Sequence, residues 1–160
     1  MKFIVEYKNI SNQHLLNYIA EECSFYMGKI TNKIDIELML NKLSLAVSEN
    51  RVVHVSGFCG LDKSMEANYK VPKFKTGILK VQYDLKPGFA YEVNNHSWPV
   101  YINSELGWIC IGDPLTREQA IEFIKGCVAV LEDGQLAALW LKPKSLPCEL
   151  HPPSQLLHAL

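Results

Sequence analysis

The chain has no apolar run approaching the roughly 18 residues that a membrane-spanning helix needs, so no helical span is expected. Its first residues, Met1-Lys2-Phe3-Ile4-Val5-Glu6-Tyr7-Lys8, carry charges inside the apolar stretch and read as a strand, not a signal peptide. Neither sign of charge dominates. There are 16 Lys and Arg against 17 Asp and Glu, and a net charge of −1 gives no global reason to expect nucleic-acid binding. Cysteine pairing motifs are missing too: Cys23, Cys59, Cys110, Cys127 and Cys148 are odd in number and include no Cys-x-x-Cys. Without a secretion signal this pattern favours reduced, structurally packed thiols and a cytoplasmic address.

Catalytic signatures are equally scarce. No Gly-x-Ser-x-Gly occurs. Gly57 and Gly60 lack the spacing and the following helix of a phosphate loop. His14, His54, His96, His151 and His158 are scattered, with no pair at a ligand spacing, so neither metal nor cofactor is expected. His54 alternates with Val53 and Val55, which places it on the solvated face of a strand. Cys59, beside Gly60, is the best-placed nucleophile, with His54 and His96 as candidate bases. It keeps a small thiol-dependent enzyme as an alternative reading, along with a non-catalytic subunit of another assembly.

What is present is enough apolar residue for one sizeable core: 160 residues, 48% hydrophobic and 21% charged. Residues 107–143 form the clearest stretch. Trp108-Ile109-Cys110-Ile111 lies between Gly107 and Gly112-Asp113-Pro114 and reads as a strand buried on both faces. Thr116 and Gln119 have the spacing of a capping box, Ala120, Ile121 and Ile124 then share a face, and Gly126 suits a helix stop. Asp133-Gly134 between the apolar runs 127–131 and 136–141 predicts a type I′ hairpin, and Pro143 ends it.

Earlier in the chain, residues 2–7 suit a first strand. Ser11 is placed to cap a helix running to about Gly28, although residues 24–27 also suit an extended strand. Asp35 is placed to cap a second helix, with Ile36, Met39, Leu40, Leu43, Ala46 and Val47 on one side. Strands are expected at 51–58, 78–85, 89–93 and 98–103. Residues 59–76 form a long loop with room for a short edge strand. The predicted class is α+β: a mostly antiparallel sheet with helices packed against it, in the order β-α-α-β-β-β-β-β-α-β-β. Residues 1–143 make one domain, and 144–160, with Pro147, Pro152 and Pro153, an irregular tail.

Charge is uneven along the chain. Residues 62–86 hold six Lys and three acids, whereas residues 92–133 hold seven acids against Arg117 and Lys125. Tyr91, Trp98, Tyr101 and Trp108 fall near Glu92 and Glu105. Trp108 and Trp140 are expected in the core. Acids beside Tyr and Trp are also the composition of an interface that meets a basic protein.

The segments Ala120-Ile121-Glu122-Phe123, Val128-Ala129-Val130-Leu131-Glu132-Asp133-Gly134 and Leu139-Trp140-Leu141-Lys142-Pro143 resemble the closing segment of immunity proteins from bacterial polymorphic-toxin and contact-dependent growth inhibition systems. The resemblance covers about the last third of the chain. It implies a stoichiometric inhibitor that binds a cognate toxin C-terminal domain, often a nuclease, and blocks its active site or substrate channel, without touching nucleic acid or membrane itself. The family has no shared binding motif, so the expected interface rests on charge and turn position: Asp62, Glu66, Glu92, Trp98, Tyr101 and Glu105.

Overall fold

The computed structural model describes residues 1–10, 16–82, 85–94 and 96–146, for Asp62 the backbone only. Ser11, His14, Cys148, His151, His158 and all but the start of the expected tail lie outside the described residues. Fourteen strands are described: β1 (Lys2–Tyr7), β2 (Asn17–Ile19), β3 (Ser24–Tyr26), β4 (Ile36–Leu40), β5 (Lys42–Ser48), β6 (Arg51–Phe58), β7 (Met65–Glu66), β8 (Lys75–Gln82), β9 (Ala90–Glu92), β10 (Val100–Asn103), β11 (Trp108–Gly112), β12 (Gln119–Ile124), β13 (Cys127–Glu132) and β14 (Gln135–Leu141). They join in one sheet that curls into a half-barrel, in the order β7-β10-β11-β14-β13-β12-β8-β6-β5-β4-β9. β1 pairs with β8, and β3 and β2 extend from β6. Most pairs are antiparallel; β10/β7, β12/β8 and β4/β9 are parallel.

This corrects the predicted α+β class. Among the described residues the only helical pieces are the 3-10 turns Ala20–Glu22 and Leu61–Lys63. The helix expected from Asp35 is the β4–β5 hairpin. Its apolar set fits a helix only when Leu38 and Leu45 are passed over. With them included, Ile36-Leu38-Leu40 and Leu43-Leu45-Val47 alternate with period two, and all six side chains are buried. Asn41 turns the chain between the arms at φ 54°, a left-handed conformation that Asn tolerates. Asp35 caps no helix: its carboxylate accepts the Glu49 N–H at 2.9 Å.

The helix expected after Thr116 is likewise a strand, β12. The Thr116 hydroxyl donates to the Asp113 carboxylate at 2.9 Å, and Asp113 also accepts the Leu115 N–H at 2.9 Å. The capping residue is thus consumed by an Asx-type turn. Ile121, Phe123 and Ile124, β-branched and aromatic, then suit a strand. Gly126 does lie at positive φ, 82°, but in the turn between β12 and β13; a Cβ there would stand 2.7 Å from the Lys142 carbonyl oxygen. Of the first expected helix, the described residues form β2, a 3-10 turn and β3, the extended alternative for 24–27.

Other expectations hold. Asp133 and Gly134 have φ of 53° and 76°, as a type I′ turn requires, and β13 and β14 pair across it. The Phe3 N–H reaches the Gly134 carbonyl at 2.7 Å, which ties β1 to the tip of that hairpin. Trp108–Gly112 is buried throughout, and the reason is visible in its neighbours. Ile109, Ile111, Ala129, Leu139 and Leu141 face the core inside the curl. Trp108, Cys110, Val128, Val130, Ala138 and Trp140 form a second apolar layer on the opposite face.

The irregular segment 67–74 covers that outer layer. Tyr69 and Val71 pack on it, Tyr69 meets Tyr101 edge-on at 5.2 Å between ring centroids, and Phe74 meets Trp108 at 6.3 Å. Polar ties fix the strap at three points: the Ala67 N–H to the Ile102 carbonyl, the Asn103 amide to the Tyr69 carbonyl, and the Arg117 guanidinium to the Lys70 carbonyl.

Candidate functional site

β10 separates two features, and the expected interface residues divide between them. The first lies where the sheet ends, on β7 and the turn after β10. β7 is short because it pairs only at Met65 and Glu66, opposite Tyr101 and Ile102. The Glu66 carboxylate is locked in place by Ser104, whose N–H and hydroxyl donate to it at 3.1 and 2.6 Å. That bond holds the 104–107 turn, with Glu105, against β7. Asn103 tightens the same turn by accepting the Leu106 N–H at 3.1 Å. Two large apolar side chains remain in water here, Met65 at 53% and Leu106 at 43% exposure. Glu66 and Glu105 are therefore brought together beside exposed apolar groups, whereas the Tyr101 ring packs under the strap against Tyr69.

The second feature is a cleft of about 760 Å³ at the seam where the β4–β9 end of the curled sheet approaches the start of β10. Asn41 stitches the seam. Its amide donates to the Cys59 and Trp98 carbonyls at 2.9 and 3.0 Å, and its carbonyl accepts the Trp98 N–H at 2.8 Å. Met39, Phe58, Trp98 and Val100 supply apolar lining, while Lys42, Lys63, Glu92, Asn94 and His96 supply polar lining. The His96 ring lies over Trp98, centroids 5.3 Å apart. Glu92 and Trp98 thus line the cleft and are not part of the acidic edge. Trp98, expected as an interface aromatic, is only 6% exposed and belongs to the core. Asp62 lies in the 3-10 turn after Gly60, and its side chain is outside the described structure.

Of the residues set aside for chemistry, His96 lines the cleft, while Cys59 and His54 sit apart from it. Cys59 is buried in the core inside the curl. Burial pushes the Cys110 thiol far above its ordinary value, with Asp113 adding to the effect; Cys127 is raised in the same way, first by burial and then by Glu122. Such thiols are protonated at neutral pH and poor nucleophiles. His54 is not solvated as expected: at 7% exposure it is buried, and its Nε2 hydrogen-bonds the Gly28 carbonyl at 3.1 Å. Alternation with Val53 and Val55 does not mark a solvated position here, because the His54 ring lies against the Gly28 backbone.

Asn41 and Ser104 were missed by sequence reasoning. Asn41-Lys42 between two alternating apolar triplets is a turn signal that could have exposed the first. Nothing local marks Ser104, whose partner lies 38 residues away. No helix of the described residues is long and apolar enough to cross a membrane. No protein-family model matches the chain, and no curated protein matches it significantly.

Proposed function

We propose that this protein is an immunity-type inhibitor. It acts in the cytoplasm, binds a cognate toxin domain of nuclease type and neutralises it by covering the active site or substrate channel. The observation that carries this reading is the convergence of Glu66 and Glu105 with exposed Met65 and Leu106 at one end of the sheet. The Glu66 carboxylate, fixed by its hydrogen bonds to Ser104, loses little side-chain entropy on binding, and adjoining apolar groups supply buried area. A nuclease must hold a polyanion, so its substrate channel is positively charged. An acidic, partly apolar edge is complementary to such a channel in charge. The likeness of the β12–β14 segment to immunity proteins supports the same reading. Neither nucleic acid nor membrane is a partner in it.

The test is genetic and direct. An immunity gene is expected immediately downstream of a gene for a large secreted effector. Expressing that effector's C-terminal domain should arrest growth, and co-expressing this chain should restore it. Continued arrest, with both proteins folded and present, would contradict the reading.

A further inference from the structure

The charge balance of the seam cleft is opposite to that of the neighbouring edge. Among the described side chains its ionisable lining is Lys42, Lys63 and His96 against Glu92 alone, above an apolar floor that includes Phe58 and Trp98. The only ion pair among the described residues is Lys80 with Glu6, so neither cleft lysine is neutralised by a described carboxylate. The rim is also held in place, because Asn41 ties the β4–β5 turn, which carries Lys42, to the backbone at Cys59 and Trp98. An apolar floor inside a polar rim is the form of an anchor site, where a partner side chain is desolvated and flanking charges fix its register.

We infer that the cleft receives a carboxylate-bearing loop of the toxin domain, placing an apolar side chain on the floor and one or more carboxylates beside Lys42 and Lys63. This deepens the proposed function and rests on it. The chemistry of the target explains the pairing. An enzyme that cuts a polyanion surrounds its substrate with cations, yet sets a few carboxylates among them as general bases or metal ligands. A surface that covers such a site meets positive charge over most of its area and negative charge at one point. The acidic edge beyond β10 and the donor-rich cleft before it offer that arrangement side by side.

The experiment uses the full chain and the C-terminal domain of the effector encoded immediately upstream. The mixed proteins are treated with a water-soluble carbodiimide, which activates a carboxylate so that a touching lysine amine displaces the activator and forms an amide. Cross-linked peptides joining Lys42 or Lys63 to an acidic residue of the toxin domain are expected. The Lys42→Glu/Lys63→Glu variant should bind about 10-fold or more weakly, as expected for two reversed charges at a rim, and the loss should shrink in high salt. Unchanged affinity in a variant whose circular dichroism matches the wild type would overturn the inference, as would cross-links confined to lysines outside the cleft. In either case the proposed function would stand. If the wild-type chain does not bind the domain at all, the proposed function fails and this inference with it.

Discussion

The wall built from β11, β13 and β14 and the seam at Asn41 are held together by different forces. The wall buries side chains on both faces of its strands, one set inside the curl and the other in the layer that the 67–74 strap packs on. At the seam, the hydrogen bonds of the Asn41 amide tie the β4–β5 turn to the backbone at Cys59 and Trp98. Apolar burial is non-directional and shared among many residues, so the wall can lose a contact and keep its shape. An amide clamp depends on geometry at a few atoms, and its loss is local.

Breaking the wall should have the largest effect. Trp140 is 1% exposed in the outer layer. Trp140→Ala is expected to lower stability by about 3–5 kcal/mol through lost burial and the cavity left behind, measured by urea denaturation. Cutting the seam comes next. Asn41→Ala removes three hydrogen bonds and should cost roughly 2–3 kcal/mol at about 1 kcal/mol each. Asn41→Asp keeps the acceptor for the Trp98 N–H but sets a carboxylate oxygen against the Cys59 and Trp98 carbonyls, so its loss should be at least as large. If Asn41→Ala destabilised as much as Trp140→Ala, the contrast between wall and seam would disappear.

The smallest effect concerns β1 and β8. Lys80 sits 2.7 Å from Glu6, and its hydrogen bond and charge hold the Glu6 carboxyl below its ordinary value of 4.5. A lowered folded-state pKa stabilises the fold above the unfolded value, and that contribution is lost as pH falls through the folded value. Wild type should therefore be slightly more heat-stable than Glu6→Gln at neutral pH, and the gap should close on acidification below about 4. Both groups are exposed, so a gap of more than a degree or two would be unexpected. A gap that widened in acid would reverse the assigned direction.

The same contrast explains what could be read from the sequence. The wall was legible because its signals are local: the Asp133-Gly134 turn, the unbroken apolar run 108–111 and the breakers around it. Residues 59–76 were legible as an irregular stretch with a short edge strand, though not as a cover for the outer face. The β4–β5 hairpin reads as a helix because its period-two apolar positions, broken by one turn, contain a subset at helical spacing. β12 was misread because Thr116 and Gln119 mimic a capping box, while Asp113, three residues upstream, takes the hydroxyl. At the site, the approach of Glu66 to Glu105 depends on a hydrogen bond to Ser104, 38 residues away in the chain. The separation of Glu92 and Trp98 into a cleft with Lys42 and Lys63 depends on long-range closure of the sheet, which no window of sequence contains.

The most direct measurement is titration calorimetry of this chain against the upstream-encoded toxin domain, for wild type and for Glu66→Lys/Glu105→Lys, at low and high salt. The account predicts a 1:1 complex that the double reversal weakens by about 10-fold or more at low salt and by less at high salt. Wild-type affinity in a correctly folded double variant would contradict it.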